Sequence, residues 1–569
     1  MRIEESKTKA MVFSPPHIDQ PTADSLEVNN KNIDIIPEVK LVGITLDEKL
    51  NFQSHICNTQ TKAYKALKAI SKVTNAKKNP NQEAHLQLYR AMIRPILEYG
   101  TECTLRAGQK HDAAYAPIQR KALLAATGCK IRTSTDALEV LTGIMPIDIH
   151  LTCRQAQAYL RMATKHTGNP IYDKIAQERS EEKIGTTLHL LETRFKEMKG
   201  EIEVSTVDKE CYYDSRLPPF SVGRITGSFL PTTTNPANKE EAKEKVKQIL
   251  HEMKKTPTTV VFTDGSSLGN PGPTGCAAVI YEQWGVTEPY TVRKPVAAKS
   301  NNYEGELQGI YLALNTLHRS QSKNRRILIL CDCKAALENV SSLQQAEAYN
   351  DLVNAARQRL FEIQQKGHNI QIEWCPGHMG VEGNELADMQ AKLAAEEAKH
   401  TENNTTWTKQ QAMKHIEEQA VKRWQRRREN QTTSSHMQKA NTSLKKKCST
   451  WESRTTQISI NQLVSGHTEL NAYKNWIDPT ETPNCGTCGT RENIDHYMYE
   501  CPKYENTRQH LMKEIDNIYE DYGIPQQERT MDVVSLAGMR SDLTNEANKR
   551  MYLAFTKYIE DTRRFAEQV

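Results

Sequence analysis

Residues 257 to 396 of this chain predict an α/β fold built on a mixed five-stranded sheet, and three observations carry the prediction. The run Thr258 to Ser266 is β-branched and aromatic and arrives at Asp264; the run Ile327-Leu-Ile-Leu-Cys-Asp332 is apolar until it too ends on an acid. Between them Leu307, Ile310, Tyr311, Leu314 and Leu317 recur at helical spacing. Strands that end by presenting carboxylates describe a sheet edge that opens onto a site, although Asp264-Gly265 alone is equally a hairpin signal.

The elements follow in order. Residues 1 to 165 read as a short β segment and then helices. Ser6 to Ser14 and Val39-Lys-Leu-Val-Gly-Ile-Thr-Leu-Asp47 are the expected strands. Leu86, Tyr89, Ile93 and Ile96 share a helical face, and Pro95 kinks or ends that helix near Leu97. A helix around Gln119 to Ala126 leads to a turn at Gly143-Ile-Met-Pro146. From 166 to 256 the chain is charged and irregular, with Pro218-Pro219 and Leu230 to Ala237 marking a linker and Lys239 to Lys255 a polar spacer helix.

In the segment 257 to 396, Cys276 to Tyr281 pairs with the first strand and Tyr290 to Lys294 forms a third antiparallel strand. The helix from Asn302 to Leu317 carries Glu306 in its first turn. After helices around 334 to 365, Ile370 to Cys375 alternates as a strand and gives way to the loop Pro376-Gly-His-Met-Gly-Val-Glu-Gly-Asn384. Asn384 is the expected N-cap of the last helix, with Asp388 in its first two turns.

Asp264, Glu306, Asp332 and Asp388 thus each stand near the start or end of an element. Clustered carboxylates raise one another's pKa values unless a cation is present, and oxygen-only ligands favour Mg²⁺ or Mn²⁺. Two such ions can activate a water and stabilise the leaving oxygen of a phosphodiester. The chemistry expected is hydrolysis of a nucleic-acid backbone.

Residues 397 to 464 form a basic helical linker: between Lys409 and Thr450 eleven Lys/Arg face three Asp/Glu, densest at Lys422-Arg-Trp-Gln-Arg-Arg-Arg428 and Lys445-Lys-Lys447. Such a run is either a solvated helix face or a phosphate contact. Residues 465 to 569 hold Cys485-x2-Cys488-x7-His496-x4-Cys501, whose four donors can complete a structural Zn²⁺ shell; unpaired thiols in a small core are the alternative.

Bulk properties set the frame. A chain of 569 residues has room for three or four domains, and its net charge of +5 matters less than where the charge lies. The thirteen cysteines follow no repeating framework, which points to a reducing compartment. No apolar h-region opens the chain and no run of about 18 apolar residues occurs, so an intracellular protein, nuclear or cytoplasmic, is expected, with no membrane partner and no implied oligomer.

The segment 257 to 396 closely resembles the ribonuclease H family through Thr263-Asp-Gly-Ser266, Gly269-Asn-Pro-Gly-Pro273, Glu306-Leu307, Cys331-Asp332 and Pro376-Gly-His-Met-Gly-Val-Glu-Gly-Asn-Glu-Leu-Ala-Asp388. The resemblance implies a sheet with helices on both faces and Asp264, Glu306, Asp332 and Asp388 as ligands of two Mg²⁺ or Mn²⁺ ions. It implies His378 on a mobile loop that assists product or proton departure, with Glu304 the fallback for Glu306. Cys333 stands where that family mostly has Ser. An RNA/DNA hybrid is the implied partner, its 2′-hydroxyls met by Gly265, Ser266, Asn301 and Asn302.

Val39 to Leu50, Tyr89-Arg-Ala-Met-Ile-Arg-Pro-Ile-Leu-Glu-Tyr-Gly100 and Ala137 to Pro146 look like the region just after the polymerase palm in non-LTR retrotransposon reverse transcriptases. That resemblance makes residues 1 to 165 a palm-end and thumb-like remnant. With no Tyr/Phe-x-Asp-Asp, reverse transcription is not expected of this chain. Ser465 to Pro502 looks like the CCHC-bearing tail of the same polyproteins, with an x7 interval longer than the x4 of the retroviral knuckle. The expected activity is endonucleolytic hydrolysis of RNA in RNA/DNA hybrids; the alternative is a catalytically silent nucleic-acid-binding remnant.

Overall fold

The computed structural model describes residues 8–13, 25–28, 31–74, 80–105, 109–164, 169–200, 203–204, 236–320, 325–341, 350–400, 406–430 and 453–566. The chain divides into two compact units, one formed by 1–155 together with 419–569 and the other by 156–418.

The second unit is organised around β1 (Thr258–Ser267), β2 (Gly272–Tyr281), β3 (Tyr290–Ser300), α1 (Asn302–Arg319), β4 (Arg326–Cys331), α2 (Lys334–Ser341), α3 (Asn350–Gln365), β5 (Asn369–Trp374) and α4 (Glu382–His400). The strand order is β5-β4-β1-β2-β3. β1, β4 and β5 run parallel, while β2 is antiparallel to both β1 and β3. Two short segments, Glu203–Val204 and Thr406–Trp407, continue the sheet beyond β3.

Both faces of the sheet are buried, as near-continuous apolar strands require. Val261, Ile329 and Ile372 pack under Leu307, Ile310 and Leu314 of α1 and Val353, Leu360 and Ile363 of α3. On the opposite face Val260, Phe262, Leu328 and Leu330 meet Ala387 of α4 together with Val246, Leu250 and Met253. The last three belong to the helix Pro236–Met253, which was expected to be a polar spacer. It is a packing element instead, because Ala242, Val246 and Leu250 recur every four residues and give one apolar stripe among the charges.

Within the stretch whose composition reads as a linker, Pro170–Ser180 and Thr187–Lys199 are helical, and Ile175, Leu191, Phe195 and Met198 are buried. Pro218-Pro219 and Leu230 to Asn235 lie outside the described residues.

The first unit is mostly helical. The expected single strand Val39–Asp47 is a hairpin, Glu38–Leu41 paired with Ile44–Asp47 around Val42-Gly43. Of the expected strand from Ser6 to Ser14, both ends lie outside the described residues, and Ala10 makes one bridge to Ile35. Ahead of Pro95, Tyr89–Ile93 relaxes into a π-turn and the helix resumes as Arg94–Glu98, since proline has no N–H to offer the ladder. The two ends of the chain share one interior: the buried Asn461 Nδ2 donates to Gln82 Oε1 at 2.8 Å and to the Thr127 carbonyl at 2.9 Å.

The basic helix Lys409–Glu429 is not uniformly solvated. Trp424 and Arg428 are buried, and both terminal nitrogens of Arg427 donate to the Asp148 carboxylate. Part of the charge expected to meet phosphate is therefore spent inside this unit. Lys445 to Lys447 lie outside the described residues. Among the described residues no helix is long and apolar enough to cross a membrane.

Candidate active site

Register brings the first two acids together. Thr263 of β1 lies opposite Cys331 of the parallel β4, so Asp264 and Asp332, one residue further on each chain, stand side by side at the carboxyl ends of adjacent strands. This is where open α/β sheets present their ligand sites.

Glu306 reaches the same point from α1 because the helix lies almost on top of β1. A Cβ on Gly265 would stand 2.1 Å from the Glu306 backbone nitrogen, a distance no side chain permits. Asn301 caps α1 by accepting from the Glu304 amide at 2.8 Å, and Glu306 sits one turn in rather than in the first turn. Glu304 is the first-turn acid. It is buried and accepts a hydrogen bond from Ser300 Oγ at 2.9 Å, whereas Glu306 faces Asp264 and Asp332.

Asp388 arrives on α4, whose start differs from the expected one. The helix begins at Glu382, since the amides of Asn384 and Glu385 already bond to the Val381 carbonyl. Asn384 is consequently not the N-cap; it is a buried first-turn residue whose side chain hydrogen-bonds Asp332. His378 sits in the exposed loop between β5 and α4 at φ 57°, with ligand atoms of His378, Glu385 and Asp388 all within 4.8 Å of one another. A Cβ on Gly377 would stand 2.4 Å from Asp332 Oδ2, so the loop can close over that carboxylate only through glycine.

The electrostatics are those of acids crowded without a countercharge. Burial first, then Asp332 and Asp388, push the Asp264 carboxyl up to about 8, against the opposing effect of Lys392 and the Gly265 amide. Glu306, buried like Asp264 at 4% exposure, is held well above the usual carboxylate range by desolvation and by Asp264 and Asp332. Burial also raises Asp332, with His378 and Asn384 acting the other way.

The donor set fits hard divalent cations. Four carboxylates offer oxygen. The one thiol among them, Cys331, lies with Glu306 and Asp332 in a group whose ligand atoms are within 4.8 Å, but burial keeps it protonated and its Sγ donates to Glu306 Oε2 at 3.7 Å. Of the residues expected to meet substrate, Gly265 and Ser266 lie just before the end of β1, Asn301 is engaged as the cap, and the Asn302 backbone amide donates to Asn270 Oδ1 at 3.3 Å.

Sequence reasoning missed Glu385, Lys392 and the role of Asn384. Their spacing from Asp388 along one helix (i−3, i+4 and i−4) was the available signal.

In the other unit, Cys485, Cys488, His496 and Cys501 bring their ligand atoms within 4.8 Å of one another, a group that can hold zinc. Cys488 Sγ is 3.2 Å from His496 Nε2 and Cys485 Sγ is 3.9 Å from Cys501 Sγ. Burial acts to raise the Cys485 thiol, but the Thr487 and Cys488 amides, His496 and Cys488 outweigh it and bring it down to about 6.

The RNase H family profile matches residues 256–396. A ribonuclease H from Chromohalobacter salexigens is 31% identical over 149 residues, which cover 25% of this chain and 86% of the relative. A Pol polyprotein from a type-1 retrotransposable element R1 of Bradysia coprophila is 25% identical over 222 residues, 38% of this chain and 20% of that protein. Among solved structures, the N-terminal RNase H domain of a Mycobacterium tuberculosis protein, fused to maltose-binding protein, is 25% identical with a TM-score of 0.22, covering 25% of this chain and 96% of that one. Through the domain at 256–396, this chain belongs to the ribonuclease H family.

Proposed function

We propose that residues 257 to 396 cleave the RNA strand of RNA/DNA hybrids endonucleolytically in the presence of Mg²⁺ or Mn²⁺, with Asp264, Glu306, Asp332 and Asp388 holding two ions. The observation that carries this reading is the convergence of four carboxylates from β1, α1, the end of β4 and α4, with Asp264 raised to about 8 by burial and by its acidic neighbours. Crowded acids of this kind are relieved by divalent cations. When bound, such ions supply charge neutralisation at the scissile phosphate and a more acidic water.

The chain's own residues do the rest. The water oxygen forms the new bond to phosphorus and releases a proton to solvent, the P–O3′ bond breaks, and the 3′-oxygen departs with a proton that a ring nitrogen of His378 supplies. The exposed position of His378 suits a group that must also let product leave. Gly265 and Ser266 follow Asp264 on β1, and Asn301 and Asn302 open the helix that carries Glu306, which supports assigning them to the hybrid's 2′-hydroxyls. The match to a retrotransposon polyprotein spans 222 residues, longer than the segment 256–396, which supports an origin in such a polyprotein.

A labelled RNA/DNA hybrid incubated with Mg²⁺ tests the activity. Wild type should cut the RNA strand and Asp332→Asn should not; equal products from both, or none from either, would sink the proposal and leave a silent binding module. For the Cys485, Cys488, His496 and Cys501 group we infer structural Zn²⁺, supported by four donors with no open position and a Cys485 thiol already near 6.

A further inference from the structure

Beside the Cys/His group, in the unit formed by 1–155 and 419–569, an aromatic row has no part in the proposed activity. His467 meets Tyr473 edge to face, with ring centroids 5.5 Å or less apart along the row: 5.4 Å from His467 to Tyr473 and 5.5 Å from Tyr473 to Trp476. The Tyr473 and Trp476 planes are tilted by only 34°, and the Arg132 guanidinium stands 5.1 Å over the Trp476 ring.

Three features separate this row from ordinary packing. Trp476 is 58% exposed, and Ile477 and Ile131, at 48% and 80%, extend the apolar surface next to it. The Tyr473 hydroxyl is buried and has no hydrogen-bond partner among the described residues. The charges around the rings are mostly cationic: Lys130, Arg132 and Lys474 against Glu469, whose carboxylate is already paired with Lys130 and lies 4.0 Å from Lys474. Asp478, past the helix end, accepts from the Thr480 hydroxyl at 2.7 Å.

We propose that the row from His467 through Tyr473 and Trp476 to Arg132 is a base-stacking platform for single-stranded nucleic acid. A flat aromatic face beside a guanidinium offers a nucleobase both stacking and cation–π attraction, while Lys474, only loosely engaged by Glu469, meets a phosphate. Charge complementarity favours this occupant over an apolar protein segment, which has no use for a cluster of cations around the rings. A duplex keeps its base faces covered, so single strands are the class that fits.

The test uses the full-length chain without chelator and without added Mg²⁺, with fluorescein-labelled oligo(dT) of 20 nucleotides and an abasic strand of equal length, read by anisotropy. Trp476→Ala should weaken oligo(dT) binding by about 5- to 100-fold, and Trp476→Phe should retain most of it. The abasic strand should bind wild type and Trp476→Ala equally, because only its phosphates remain. Thermal unfolding and hybrid cleavage should be unchanged in both variants, since Trp476 belongs to neither the carboxylate site nor a core. Oligo(dT) binding by Trp476→Ala within twofold of wild type, an equal loss on the abasic strand, or no binding of oligo(dT) by wild type would each overturn the proposal.

Discussion

The Lys392 ammonium lies 2.7 Å from Asp388 Oδ2, one turn along the same helix, and its charge also reaches Asp264. The protein thus carries a cation of its own at the mouth of the carboxylate cluster. An incoming metal ion has to compete with it and is repelled by it. Lys392→Met should therefore bind Mg²⁺ about 2- to 5-fold more tightly in the absence of substrate, the worth of an exposed ion pair. Isothermal titration reads this directly; unchanged or weaker binding would refute the competition.

The raised acids fix the sign of two pH effects. Because Asp264 is held up to about 8 and Glu306 is raised as well, cation binding must expel protons, and Mg²⁺ affinity should climb with pH up to about 8. Titrations in buffers of different ionisation enthalpy should show about one proton released near pH 7.

The same shifts weaken the metal-free fold as pH rises. Between the ordinary carboxylate range and about 8 the unfolded chain binds fewer protons than the folded one, so stability falls across that window. Asp264→Asn should remove part of this slope, leaving that of Glu306, and raise the metal-free Tm at pH 7.5 by about 2–5 °C, while hybrid cleavage drops by about 10³-fold or more. A variant that lost both activity and stability would show that Asp264 is a structural acid.

Gly265→Ala should cost about 2–3 kcal/mol in urea unfolding, because its Cβ would meet the Glu306 nitrogen at 2.1 Å and push α1 off β1. Gly486→Ala is the control, with nothing within 4 Å of the added carbon, and should change stability by less than about 0.5 kcal/mol.

Elemental analysis of the full-length chain should find one zinc per chain, lost in Cys485→Ser and in Cys501→Ser. Zinc should bind more weakly below about pH 6, where the Cys485 thiol takes up its proton. Wild-type protein purified without chelator and free of zinc would remove the metal from this site.

Much of the ribonuclease H domain was legible in the chain because its signals are local. Asp264 and Asp332 close strands whose composition marks them as buried, and the spacing Cys485-x2-Cys488-x7-His496-x4-Cys501 needs one short segment to bring its donors together. The family match at 256–396 rests on the same short phrases. Local patterns failed where a residue has two available faces. Lys239 to Lys255 read as a polar spacer, and Arg427 and Arg428 as a solvated face or a phosphate contact, whereas Val246 and Leu250 pack on the sheet, Arg427 pairs with Asp148 and Arg428 is buried.

The sequence by itself therefore determined the five strands, their order of appearance and which elements end in acids. Tertiary structure decided which of those acids meet. Glu306 rather than Glu304 faces Asp264 because α1 crosses β1 at Gly265, and Asn384 serves Asp332 because α4 starts three residues early. It also joined Gln82 to Asn461 and Arg132 to Trp476 across hundreds of residues of chain. Periodicity records which face of an element is apolar; only packing settles what that face, and the polar groups beside it, will touch.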